Sequence, residues 1–118
     1  MQLNHKIELL KVKTHKTYNV YRNVIGQVCW KITVYDKEYP DSVFKSHTTI
    51  TNLNLQNINS EEFISFDKMT KSDIARKCIN THGGQSFIQA LYRHFNDELS
   101  ILRNSVNLID MDVSKIPD

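Results

Sequence analysis

The sequence predicts a single-domain α+β protein, an antiparallel sheet in the N-terminal half packed by two C-terminal helices, and three observations predict it. Val28, Trp30, Ile32 and Val34 alternate with Cys29, Lys31, Thr33 and Tyr35 at the period of two that marks a half-buried strand. Phe87, Ile88, Leu91, Phe95, Leu99 and Leu102 recur at three- and four-residue steps, the apolar stripe of a helix running from Gln85 to about Arg103. The pattern changes from the first kind to the second near Ser60.

Taken in order, Ile7 to Lys13 reads as a first strand, with Thr14, His15 and Lys16 turning the chain. Tyr18 to Val24 alternates like the strand around Trp30, and Ile25-Gly26 between them suits a tight turn that would make the two a hairpin and Gly26 a conformational requirement. Pro40-Asp41 signals a further turn, after which Val43 to Leu55 resumes with β-branched Thr48, Thr49, Ile50 and Thr51. Connections this short suit antiparallel neighbours, so a meander of about four strands is expected.

Ser60, followed by Glu61 and Glu62, is expected to cap a short helical turn holding Phe63 and Phe66. Thr70, with Asp73 three residues on, caps a helix of about three turns from Lys71 to Thr81 that His82-Gly83-Gly84 terminates. The stripe of the last helix should cover one face of the sheet, leaving Arg93, Asp97, Glu98 and Arg103 on other faces to supply solubility. The chain thus divides into a strand region at 1–57, a helical region at 60–104 and an extended tail at 105–118 within one domain. In the tail, Leu108, Ile109, Met111, Val113 and Ile116 alternate with Asp110, Asp112 and Lys115, too apolar a pattern for a solvated terminus. It is expected to order against a sheet edge or a neighbouring subunit, the alternative being that it packs back on its own domain.

Composition bounds the function. At 118 residues, 40% hydrophobic and 24% charged, the chain is long enough for one core and has a globular profile. Its net charge of +2 gives no whole-molecule field that would draw it to polyanions. The charge is uneven, however: Lys6, Lys11, Lys13, Lys16, Arg22 and Lys31 face only Glu8 among the first 35 residues. No stretch approaches the roughly 18 apolar residues needed to cross a bilayer, and the N-terminus lacks the apolar run of an export signal.

The chemistry-bearing residues form no recognisable centre. His5, His15, His47, His82 and His94 make no HxH, HxxxH or HExxH pattern, and Cys29 and Cys78 belong to no CxxC pair, so no metal or cofactor is expected. Two cysteines flanked by core-spaced residues read as free thiols packed like small hydrophobes. Cys78 and His82 stand four apart on one helix face, yet lack a third orienting group and an oxyanion turn, and His82 reads as a helix C-cap. Glu61-Glu62, Asp97-Glu98 and Asp110/Asp112 read as solvated caps and faces in place of an acid–base pair. A non-enzymatic protein is expected. Lys11, Lys13, Arg22 and Lys31, interspersed with Tyr18, Tyr21 and Tyr35, are candidate phosphate contacts of a single-stranded nucleic acid, against the reading that strand lysines merely blunt edge pairing.

A strand around Trp30, then Phe63-Ile64-Ser65-Phe66-Asp67-Lys68-Met69-Thr70, a helix, a glycine break and a terminal amphipathic helix follow one another over residues 28–103. This order resembles a group of small uncharacterised proteins of tailed bacteriophages in which an F-x-x-F-[ED]-x-[LM]-T segment links a strand region to C-terminal helices. The chain departs from that pattern at Lys77-Cys78, where an aromatic residue is common, and in its longer tail. The resemblance implies a viral source and a role in the particle or the infected host's cytoplasm; it carries over no functional residues. The expected function is that of a phage accessory or virion-associated protein acting through contacts with protein subunits, with Leu108, Ile109, Met111, Val113 and Ile116 as candidate subunit contacts. The alternative is a small phage protein that binds host factors or nucleic acid through its basic sheet.

Overall fold

The computed structural model describes residues 1–18, 21–53 and 69–118, and of residues 16–18 and 21–24 the backbone alone. Three antiparallel strands, β1 (Leu3–Tyr18), β2 (Tyr21–Asp36) and β3 (Phe44–Asn52), form a meander in the order β1-β2-β3. Two helices follow, α1 (Lys71–Thr81) and α2 (Gln85–Asn104), both on one face of the sheet, so the fold is α+β with two layers.

Among the described residues the sheet has three strands where about four were expected, and the reason lies at Gly26. Tyr18–Val24 and Val28–Tyr35 are not two strands joined by a turn; from Tyr21 onward they are one continuous strand, β2. Likewise Thr14, His15 and Lys16 do not turn the chain but continue β1. Lys13 pairs with Gln27 and Thr14 with Ile25, which leaves Gly26 as the extra residue of a β-bulge. A Cβ on Gly26 would lie 2.7 Å from His15 Nε2, so a larger residue there would require that exposed ring to move aside, and it is not a turn conformation that sets this glycine.

A second bulge sits on β1. Leu9 pairs with Trp30 and Lys11 with Cys29, so Leu10 is extra. Because side chains alternate with period two, each bulge reverses which parity faces the core. Leu3, Ile7 and Leu9 point to the helices before Leu10 and Val12 after it. Gly26 has the same effect on β2, which is why odd-numbered Ile25 is buried with even-numbered Val28, Trp30, Ile32 and Val34.

Those last four side chains are fully buried and form the floor of the core, as their alternation predicts. Ile74 and Cys78 of α1 and Ile88, Leu91, Phe95 and Leu99 of α2 close it from above, with Val43 at the entry to β3. Phe87 and Leu102 complete the α2 stripe as half-buried flanks. The Pro40-Asp41 turn is present, closed by amides of Ser42 and Val43 donating to the Tyr39 carbonyl.

The helix ends follow their capping chemistry. Thr70 and Asp73 form a reciprocal capping box at the start of α1, and the amide of His82 closes its end on the carbonyls of Ile79 and Asn80. Gly83 and Gly84 then take φ values of 112° and 66°, open to glycine at no steric cost, and let α2 start at once in a new direction. The expected cap at Ser60 and the turn holding Phe63 and Phe66 lie outside the described residues.

Arg103 corrects the sequence reading. It does not simply supply solubility: from the last turn of α2 its guanidinium donates to Asp36, buried at the end of β2, and to Glu38 beyond it. The Tyr39 ring lies 5.0 Å from the same guanidinium carbon.

Candidate functional site

Because both helices lie on one face, the opposite face of the sheet has no covering layer among the described residues. The Leu10 bulge decides what that face carries. Without it Lys11 would share the inward parity of Leu9; with it, Lys11 and Lys13 stand opposite Cys29 and Gln27 on the outer face, in one row with Lys6 and Glu8. Lys31, opposite Glu8, lies on the same face, so the structure brings together three of the four candidate phosphate contacts. The fourth, Arg22, pairs through its backbone with Thr17 farther along the hairpin, and its side chain lies outside the described residues.

The face is electropositive with an apolar margin. Glu8 is engaged by Lys31 at 3.2 Å, and Lys6 Nζ stands 6.0 Å from the Tyr35 ring centroid. Lys11 and Lys13 have no acidic partner among the described residues. On β3, Phe44 and Ile50 face outward beside Tyr35 and Cys29, with 45% and 57% of their surface exposed.

A second feature lies at the edge of the sheet. Among the described residues β1 pairs only with β2, so alternate backbone groups along it point away from the sheet without a strand partner. Beneath this edge, between β1 and α1, runs a cleft of about 680 Å³. Ile7, Leu9, Ala75 and Ile79 give it an apolar floor, and Lys71 and Arg76 add positive charge.

The third feature is the tail. Val106, at the start of the tail, packs against the core, but from Asn107 to Asp118 every residue is exposed, so this stretch does not pack back on its own domain. Leu108, Ile109, Met111, Val113 and Ile116 expose between 51% and 92% of their surface. The segment is nevertheless locally shaped: Asp112 accepts from the amide and hydroxyl of Ser114 and caps a 3-10 turn at Val113–Lys115. These hydrogen bonds hold the Asp112 carboxyl below its ordinary range.

The Cys78 and His82 pair is built differently from a nucleophile and base. Burial pushes the Cys78 thiol up to about 11, against a smaller opposing effect of the Thr51 hydroxyl, so the thiolate is disfavoured. His82 occupies the helix C-cap position, as expected, but its ring turns inward and not to the terminal carbonyls. Nε2 lies 2.8 Å from Thr51 Oγ1, which also accepts from the Trp30 indole N–H at 2.8 Å. The three side chains tie α1, β2 and β3 together. Sequence reading missed Thr51 as their hub; the only signal was a threonine of inward parity on β3, opposite Val28. Among the described residues no three His, Cys, Asp or Glu side chains are placed to share a metal ion.

No helix among the described residues is long and apolar enough to cross a membrane. Among the described residues these features define an α+β domain with two layers, a basic sheet face without a covering layer, an edge without a strand partner above a cleft, and a projecting apolar arm. Residues 2–107 match the model of a domain of unknown function (DUF7936), and the chain belongs to that family. The arm from Leu108 onward lies beyond the matched residues. No curated protein and no solved structure matches the chain.

Proposed function

We propose that this protein is a non-enzymatic accessory or virion-associated protein of a tailed bacteriophage that acts through contacts with protein subunits. The observation that carries the reading is the tail: five large apolar side chains held in water by a locally ordered segment amount to surface that a partner would remove from solvent. The phage setting rests on the resemblance of residues 28–103. The protein then works in the particle, in the host cytoplasm, or in both. Mass spectrometry of purified particles tests this: stoichiometric recovery supports a virion role, and absence from particles together with no subunit partner in the infected cell overturns it.

A second reading, binding of host factors or single-stranded nucleic acid, is favoured by one observation: Lys11, Lys13 and Lys31 share the uncovered face with Lys6 and Tyr35. Lysines tracking a phosphate backbone beside an aromatic platform are how sheets hold single strands. Binding should weaken steeply with salt, and Lys11→Gln or Lys13→Gln should each reduce the logarithmic slope by about 0.7. No binding of an oligonucleotide at low salt removes this reading.

A further inference from the structure

We infer that the tail of one copy adds as a strand, in a second copy, to the edge of β1 that has no strand partner among the described residues, in reciprocal exchange. The inference rests on the reading that the protein works through protein contacts, and it names the partner as the chain itself.

The match is one of pattern. In an extended strand, Ile109 and Met111 point to one side and Leu108, Asp110 and Asp112 to the other. The β1 edge offers two different sides to such a strand. On the helix side lies the cleft, with Ile7, Leu9, Ala75 and Ile79 to receive the apolar row. On the outer side stand Lys6, Lys11 and Lys13, the row the Leu10 bulge places there, where Asp110 and Asp112 would lie as cross-strand neighbours. The tail beyond Asn107 carries three aspartates against one lysine, while β1 carries three lysines facing outward against Glu8, itself engaged by Lys31.

The backbone agrees. Leu108 to Asp112 forms no helix, and Asp112 has extended torsions of −67° and 110° before the 3-10 turn ends the run. The N–H and C=O groups of β1 that have no strand partner among the described residues would gain partners by strand addition. Since the arm is fully exposed on its own domain, the occupant is a second copy. Reciprocal exchange uses the same patch twice and closes into a two-fold dimer.

The test uses the full chain, sedimented over about a hundredfold range of concentration, with hydrogen exchange followed along Leu3–Lys13. A dimer with slow exchange at β1 is expected. Ile109→Asp with Met111→Asp, both in exposed positions that leave the core intact, should raise the dissociation constant by more than about tenfold and speed exchange at β1. A synthetic peptide of residues 106–118, added to that double variant, should restore slow exchange. Asp110→Asn with Asp112→Asn should weaken association and flatten its salt dependence. A full chain that stays monomeric, a dimer indifferent to the tail substitutions, a monomer whose β1 is protected by its own arm, or protection that needs added oligonucleotide would each overturn the inference. Its failure is separable from that of the functional reading: a monomer recovered from particles keeps the subunit role and loses the exchange, whereas a tail-dependent dimer absent from particles and without other partners does the reverse.

Discussion

The indole N–H of Trp30 donates to the hydroxyl of Thr51 at 2.8 Å, in a part of the core where neither side chain meets water. Thr51→Val keeps the shape and removes the acceptor of that donor. The variant should lose about 1–3 kcal/mol of stability, the usual cost of an unsatisfied buried polar group, while Thr51→Ser should stay near the parent. Urea unfolding checks both.

Phe95 and Trp30 belong to one core, but the aromatic ring nearest the indole on α2 is Phe87, with centroids 6.0 Å apart. Phe95→Ala should cost about 3 to 5 kcal/mol, the range for a buried Phe. Phe87→Ala, at a half-buried site, should cost less yet shift the Trp30 emission more. Equal emission spectra for the two variants would place the indole elsewhere.

Burial alone would raise the Asp36 carboxyl, but hydrogen bonds from Arg103 and the Glu38 amide, with the charge of Arg103, outweigh it and hold the group below its ordinary range. Removing Arg103 strands a buried charge. Arg103→Met should therefore destabilise far more than Glu38→Gln, whose carboxylate is exposed. Adding Asp36→Asn to Arg103→Met should recover part of the loss. Because the carboxyl is depressed in the folded state, this stabilisation is present above the ordinary carboxylate range and is lost as pH falls through the folded value.

The two thiols should differ in reactivity. Cys78 is buried with its pKa pushed up to about 11, whereas Cys29 is half-buried on the uncovered sheet face. Brief iodoacetamide treatment at neutral pH should label Cys29 and spare Cys78 until the protein is unfolded, as read by peptide mass spectrometry. Reductant and chelator should leave the melting temperature unchanged.

His5 lies with Nδ1 2.7 Å from the Tyr92 hydroxyl, and burial lowers its pKa from the ordinary 6.5. Below that ordinary value the unfolded chain takes up a proton the folded one resists. Stability from this site is complete above pH 6.5, falls as pH drops, and levels off below the folded value. The effect is small because the ring is partly exposed. His5→Gln should flatten the melting temperature between about pH 7 and 5 relative to the parent.

What the sequence made legible is what local periodicity controls. The inward row Val28, Trp30, Ile32 and Val34, the capping box at Thr70, the glycine break and the α2 stripe each depend on residues within a few positions of one another. The errors come from features that depend on distant ones. A glycine between two alternating runs has the composition of a turn, and only the pairing of β1 across from it reveals a bulge. Arg103 looks like any surface cation until Asp36, 67 residues earlier, is brought to it. Of the candidate site, the lysines were visible but not their shared face, which the extra residue Leu10 creates.

The bond between Arg103 and Asp36 also orders events during synthesis. Asp36 emerges from the ribosome with the sheet's inward row beside it, but the guanidinium that neutralises it comes 67 residues later, after the Leu99 side chain that closes the core. The two layers can therefore lock only once α2 has been made, and a chain broken off before α2 would present its hydrophobic sheet to the cell's quality control.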